Sequence, residues 1–361
     1  MRKLVLNLHL FTALVAGAFM VIQGITGSIL EFEPELDRLL HPHLAYVTPA
    51  ERPLSLQEIG ANVSRQLGAE PVVAYVNSLS PRLSSQVLLP SGVAYVNQYT
   101  GEVLGVRTRG QTFLGVVRAL HTRLGLRQVG REIARWSAVA ALFSAVSGLY
   151  LWWPLKRITI HRESGPRRFW FDLHNVIGIC SLVPLALLAL TGVVLGFEQQ
   201  AATVIYTFTR SGPTQISQAR PKVVVGTASI DPDRAVAIAR SQMPGAVVYR
   251  VQMPAYGGLY RIELVNQQDR VAGERNSVAV DPSDGSVVSF SRSEDLSVGD
   301  RFLAANEAVH TGNILGWPSR ILAALVSTML VVQAFSGLFI WLHRNKILYV
   351  SGRSAAKERF A

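Results

Sequence analysis

The sequence has little of what a soluble, disulfide-braced protein needs. It holds one cysteine in 361 residues, Cys180, inside an apolar run, so no intrachain disulfide can form and any exported loop must fold without one. Charged residues make up 16% against 49% hydrophobic, and the apolar residues are bunched. That excludes an ordinary soluble two-domain chain and points to membrane spans. No HExxH, no CxxC and no carboxylate cluster stands beside the histidines, so a zinc site has nothing to draw on. No G-x-G-x-x-G follows a strand-like run, which removes a dinucleotide-binding module. Acidic residues are outnumbered 24 to 35, for a net charge of +11. The basic excess flanks the apolar runs, where orientation signals and lipid phosphates account for it, and it accompanies no recognisable nucleic-acid module.

What is present is repetition. Phe171-Asp172-Leu173-His174-Asn175-Val176-Ile177-Gly178 sets a histidine at the start of a long apolar run, and a near copy opens the chain. An offset of 165 residues lays Leu8-His9 on Leu173-His174, Thr26-Gly27 on Thr191-Gly192 and Phe32-Glu33 on Phe197-Glu198. An offset of 189 lays His121 on His310, Arg131 on Arg320, Ser147-Gly148-Leu149 on Ser336-Gly337-Leu338 and Trp152 on Trp341. The chain reads as a tandem duplication, each half carrying two histidines at matching places.

The pattern predicts a membrane α-helical fold of four transmembrane helices with two outer α+β modules. Residues 1–34 form the first span. The apolar run is too long for a signal-peptide h-region and ends in Glu31-Phe32-Glu33-Pro34 with no small-residue cleavage site. Residues 35–110 form a first soluble module, with a helix over 54–67 opened by a Ser55/Glu58 capping box and strands near 72–76, 86–89, 93–98 and 103–106. An amphipathic interfacial segment, 111–131, carries His121 and leads into the second span, 132–155, which ends in the aromatic belt Trp152-Trp153-Pro154. A basic loop, 156–168, connects to the third span, 169–198. The second module, 199–299, has a helix near 232–242 and strands near 246–253, 258–265, 277–280 and 286–290. A second interfacial segment, 300–316, carries His310, the fourth span is 317–343, and a basic tail, 344–361, follows. The short basic loop orients both termini to the cytoplasm. Arg107, Arg109, Arg118, Arg123, Arg127, Arg131 and Arg135 then fall on the outer side against the charge rule, which long loops escape.

A histidine on a membrane helix marks a cavity, a relay or a ligand site, although a single one near a span end is more often an interfacial hydrogen-bonding residue. Here His9 and His174 lie at the same depth near the cytoplasmic face, and His121 and His310 at the outer face. Two facing imidazoles per level suit a planar cofactor that supplies its own four nitrogens, so two bis-histidine haems, one above the other, are expected. Gly17, Gly24, Gly27, Gly148, Gly178, Gly192 and Gly337 would let a macrocycle approach the backbone, or serve ordinary helix packing. His343 has no counterpart in the repeat and is an alternative ligand or a snorkelling interfacial residue. His41, His43 and His161 read as loop residues. The outer arginines, Arg118, Arg123, Arg131 and Arg320 among them, suit haem propionates, an anionic substrate or lipid phosphate.

Leu8-His9, Ala119-Leu120-His121-Thr122-Arg123-Leu124-Gly125, Leu173-His174-Asn175-Val176-Ile177-Gly178, Val309-His310-Thr311-Gly312, the Ser-Gly-Leu-x-x-Trp span endings and the two soluble modules together resemble the PepSY-associated transmembrane family. The resemblance runs from Leu4 to about His343. It implies a bacterial inner-membrane protein with two haem b groups, ligated by His9, His121, His174 and His310. Such a protein passes electrons outward to reduce ferric iron in a periplasmic siderophore complex or other ferric chelate. Ferrous iron binds hard siderophore oxygens more weakly, so reduction is itself the release step, and no general acid or base is required. With no flavin or nicotinamide domain, electrons come from a partner, either membrane quinol or a cytoplasmic reductase.

Two readings of other classes remain open at this point. A permease of the chelate would share the repeat, but four spans leave little room for a lined path. A non-enzymatic sensor or regulator would use the soluble modules for binding and gives no reason for matched histidines. Haem content separates both from the reductase.

Overall fold

The computed structural model describes residues 1–68, 71–77, 80–108, 110, 112–156, 158–161, 165–214, 230–254, 258–265 and 276–344. The basic tail and Arg109, Arg157 and Arg162 lie outside the described residues. The chain divides into two compact units.

The first unit comprises Met1–Phe32, Val116–Ala201 and Asn306–Ala361. It is built on four helices long and apolar enough to cross a membrane: α1 (Arg2–Leu30), α6 (Arg127–Trp152), α7 (Pro166–Gly196) and α11 (Trp317–Arg344). At 1.5 Å per residue each exceeds the roughly 30 Å of a hydrocarbon core. They pack in the ring order α1, α6, α7, α11, which puts α1 and α7 on one diagonal. Small residues allow the close approach: Gly24 of α1 faces the α11 backbone, where a Cβ would lie 2.7 Å from the Ser327 carbonyl oxygen. Met20, Ala141 and Ala189 meet in the middle of the bundle with Leu330. α7 continues through Pro184, so no broken helix interrupts the bundle.

The second unit comprises Glu33–Gly115 and Ala202–Ala305. Its core is an eight-stranded antiparallel sheet of β1 (Ala74–Val76), β2 (Ser85–Leu88), β3 (Val93–Val96), β4 (Val103–Arg107), β5 (Val247–Gln252), β6 (Tyr260–Val265), β7 (Asn276–Val280) and β8 (Val287–Ser291), in the order β4-β3-β2-β1-β5-β6-β7-β8. The two soluble modules are therefore one sheet, joined where Tyr75 of β1 pairs Val251 of β5. Two helices, α4 (Leu56–Leu67) and α9 (Pro232–Gln242), bury Leu56, Ile59, Val63, Ala235 and Ala239 in the sheet's core. The Ser55/Glu58 capping box is present at α4. Asp233 of α9 also accepts from the Leu56 and Gln57 amides at 2.8 and 2.9 Å, so the second module's helix helps cap the start of the first's. Matching turns before β4 and β8 close on Gly101 and Gly285 at φ +74° and +75°, a region glycine enters without steric cost.

The remaining helices are α2 (Glu33–Leu40), α3 (Pro42–Ala45), α5 (Phe113–Arg123), α8 (Glu198–Thr209) and α10 (Val298–His310). The sequence pattern leaves α2, α3 and α8 unassigned. His43 lies in the single turn α3 with His41 as its N-cap, so it is not a loop residue.

Candidate functional site

Four histidines meet in two pairs inside the bundle unit. His9 of α1 faces His174 of α7 across the diagonal, ring centroids 6.5 Å apart. His121 of α5 faces His310 of α10 at 6.3 Å. An imidazole nitrogen binds a metal at about 2 Å and lies about 1.1 Å from its own ring centroid, so two imidazoles on opposite sides of one ion have centroids about 6.3 Å apart. Both pairs stand at that separation.

Each Nδ1 meets a hydroxyl on a neighbouring helix. His9 pairs with Ser147 at 2.8 Å, His174 with Ser336 at 2.9 Å, His121 with Thr26 at 3.0 Å and His310 with Thr191 at 3.1 Å. A hydroxyl has one proton, and each of these is already given to a carbonyl of its own helix: Ser147 to Phe143 at 2.7 Å, Ser336 to Gln333 at 3.1 Å, Thr26 to Ile22 at 2.6 Å and Thr191 to Leu187 at 2.9 Å. The hydroxyl oxygen must therefore accept from Nδ1–H. His310 makes this explicit, because its Nδ1 also reaches the Leu188 carbonyl, which can only accept, at 3.2 Å. With Nδ1 protonated in all four rings, the Nε2 lone pair is the one left for a metal. At the His121–His310 level burial keeps the rings neutral. It pushes His121 down to about 4, with a smaller contribution from His310, and it lowers His310 as well.

The residue after each hydroxyl is glycine, and each glycine touches the Cε1 edge of the same ring. A Cβ would lie 3.5 Å from His9 at Gly148, 3.4 Å from His174 at Gly337, 3.3 Å from His121 at Gly27 and 3.1 Å from His310 at Gly192. A Ser-Gly or Thr-Gly dipeptide thus fixes every ring by hydrogen bond and by contact. The donor set, the tautomer and the spacing fit a six-coordinate haem iron at each level.

The model of the family described as PepSY-associated TM region matches residues 6–344. The chain belongs to this family. No curated protein matches the sequence. In this PepSY-associated chain the remaining candidates separate clearly. Arg118, Arg123 and Arg131 are exposed. Arg320 is buried at 8% exposure. It donates through Nε to the Glu31 carbonyl at 2.7 Å and lies over the rings of Trp317 and Phe32, at 4.8 and 5.5 Å from their centroids. His343 stacks on Phe339 at 4.1 Å and its Nδ1 meets the Phe339 carbonyl, away from both pairs. Of the seven glycines, Gly24 serves helix packing, Gly178 approaches Gln333 and Gly17 faces open space; the other four line the histidines.

The sequence reading used Thr26-Gly27, Thr191-Gly192, Ser147-Gly148 and Ser336-Gly337 as marks of the repeat and missed their role. The signal was present, since a small hydroxyl residue followed by glycine recurs four times on lines of registry with the four histidines.

Proposed function

We propose that this chain is an inner-membrane di-haem b electron-transfer protein that reduces ferric iron in siderophore complexes at the outer face. The observation supporting the proposal is the pair of bis-histidine levels in which all four Nδ1–H groups are donated and the ring centroids stand 6.5 and 6.3 Å apart, a spacing at which each pair would hold one haem iron. Seventeen residues separate His9 from Thr26 and His174 from Thr191. The two levels therefore lie about 25 Å apart along the helices, one near each face of a bilayer. Haem bound at both levels supplies a one-electron relay across the membrane.

The chain's own residues do the rest. His9 with His174 and His121 with His310 offer neutral Nε2 donors, and the four hydroxyls hold the rings in that tautomer. Met20, Ala141, Ala189 and Leu330 keep the middle of the bundle apolar and exclude water between the levels. Arg118 and Arg123, exposed on the helix that carries His121, give the outer end a positive charge suited to an anionic chelate. The sheet unit is the periplasmic part, and the two halves of the chain derive from a duplication that gave each half one ligand per level.

A reduced-minus-oxidised optical spectrum with a pyridine haemochrome determination tests this on the purified, detergent-solubilised protein. About two b-type haems per chain, reoxidised on adding a ferric siderophore with release of ferrous iron, is the expected result. Protein that takes up no haem under adequate haem supply overturns the proposal.

A further inference from the structure

Asp172 and His161 form a second cluster that the relay does not use. Asp172 is 0% exposed near the start of α7, two residues before His174. Its Oδ2 accepts from His161 Nδ1 at 2.8 Å, from the His161 amide at 3.2 Å and from Arg168 Nε at 2.9 Å. Its Oδ1 is buried with no hydrogen-bond partner among the described residues. Arg168 Nη2 also lies 3.4 Å from His161 Nδ1, but the shorter, charge-assisted contact with the carboxylate decides that Nδ1 carries the proton. The Nε2 lone pair is then available on a side chain that is half exposed, at 49%. Among the described residues, Asp172 and Arg168 are the charged groups facing the ring.

The cluster has no counterpart at the matching end of α1. By the offset that lays His9 on His174, Asn7 matches Asp172, and Asn7 is exposed. The corresponding helix end thus closes without a buried carboxylate. The His161–Asp172–Arg168 cluster belongs to one half of the chain only. The same end of α7 carries a ring wall: Phe169 against Trp170 at 5.6 Å and Trp170 against Phe339 at 5.1 Å.

We propose that His161, oriented by Asp172, is the proton acceptor of a hydroquinone site at the cytoplasmic end of α7. The inference rests on the di-haem reading and names its electron donor. A neutral imidazole backed by a carboxylate accepts a proton. An electron bound for a ferric centre next to His174 is best supplied by a molecule that sheds a proton as it sheds an electron, and hydroquinone does this from within the lipid. One hydroxyl O–H would break, its proton passing to His161 Nε2 and its electron leaving toward the haem that His9 and His174 would hold, which would supply one-electron acceptance. His161 returns that proton to cytoplasmic water, the second hydroxyl repeats the step, and quinone leaves. Two protons and two electrons are thereby accounted for. Asp172 stays ionised and acts as a positioning residue.

The test uses His161→Gln in the full-length protein, because the glutamine amide keeps a donor for Asp172. Under anaerobic conditions a short-chain hydroquinone reduces the wild-type protein, and the variant reacts about 100-fold more slowly. Reduction by dithionite and haem content stay unchanged. Asp172→Asn loses rate, and Asp172→Glu, which keeps the carboxylate, restores part of it. A second arm titrates the haem-free protein with a redox-inert hydroxyquinoline analogue, read by tryptophan fluorescence, where His161→Gln binds about 10-fold more weakly. Equal hydroquinone rates in variant and wild type overturn the site, as does reduction by dithionite with none by hydroquinone. A protein without haem defeats the di-haem reading instead, and the analogue titration alone then decides the site, equal binding by variant and wild type overturning it.

Discussion

The two histidine levels use the same parts in opposite arrangement. At one level the long helices α1 and α7 supply the rings, His9 and His174, and α6 and α11 supply the Ser-Gly supports. At the other, α1 and α7 supply the Thr-Gly supports, and the rings ride on the shorter helices α5 and α10. One helix pair therefore orients both levels, so neither can shift along the bundle without the other. The levels differ in how tightly the rings are gripped. A Cβ in place of the glycine hydrogen would meet the ring at 3.4 and 3.5 Å at the serine level and at 3.1 and 3.3 Å at the threonine level, and the angle between the ring planes changes from 88° to 51°. A shared scaffold with two grips yields two sites that respond differently to the same perturbation.

Removing a ring breaks the comparison most severely. His9→Ala or His174→Ala is expected to lower haem from about two per chain to about one and to leave the other level's spectrum intact; His121→Ala or His310→Ala does the converse. Each pair of substitutions should also abolish ferric-chelate reduction by hydroquinone, because both levels stand in series. Haem loss from both levels after a single substitution would show that the levels are not separate sites.

Acid tests the ring of His121 next. The His121 imidazole titrates near 4 in the fold against 6.5 when unfolded, so the folded state binds fewer protons between those values. The stabilisation is complete above pH 6.5 and is lost as pH falls toward 4, by on the order of 3 kcal/mol. Thermal unfolding of the haem-free protein in detergent should show the midpoint dropping over that window, and His121→Phe should make the drop smaller. A midpoint indifferent to pH in the wild type would mean that the ring is hydrated and its tautomer unconstrained.

Much of this was readable from residue patterns, for identifiable reasons. Ligand chemistry at two levels requires the same residue types twice, so His9, His121, His174 and His310 stand out by registry. The capping box at Ser55 and Glu58 is local and needs no tertiary information. The β1 to β5 junction was not readable, because pairing Tyr75 with Val251 depends on where two distant segments meet and leaves no periodic trace. Arg320 read as an anion contact from its place in the repeat, and its burial with Nε on the Glu31 carbonyl and the Glu31 carboxylate in electrostatic reach comes from the fold alone. His161 read as a loop residue and lies outside any helix or strand, but its pairing with Asp172 at 2.8 Å comes from the fold and leaves no mark in the sequence.

Deleting the hydroxyls sharpens the comparison without touching a ligand. Ser147→Ala and Ser336→Ala free an Nδ1–H at one level, and Thr26→Val and Thr191→Val do so at the other with side-chain volume kept. Loss of such a partner typically weakens metal affinity 10- to 100-fold, or about 1.4 to 2.8 kcal/mol. His310 keeps the Leu188 carbonyl when Thr191 is changed, so Thr191→Val should cost least of the four. Haem dissociation rates to an apo-globin acceptor give the ranking, and an equal loss at all four positions would contradict the shared role of Leu188.

The glycines yield the smallest effect and the finest discrimination. Gly→Ala inside a helix gains about 1 kcal/mol of propensity. Against this stands the ring edge. At Gly148 and Gly337 the added methyl meets its histidine at 3.5 and 3.4 Å, ordinary van der Waals contact, so Gly148→Ala and Gly337→Ala should be neutral or slightly stabilising. At Gly192 it meets His310 at 3.1 Å and also Ala138 at 3.7 Å, so the ring has to move, and overpacking of this kind costs about 1 to 3 kcal/mol. Gly192→Ala should therefore destabilise the haem-free protein and broaden only the outer level's absorption band. Gly27→Ala, at 3.3 Å, should fall between. Opposite signs at the two levels would confirm that the threonine level is the tighter grip, whereas a stabilised Gly192→Ala protein would show that α10 can retreat from α7 and that the ring is held by hydrogen bond alone.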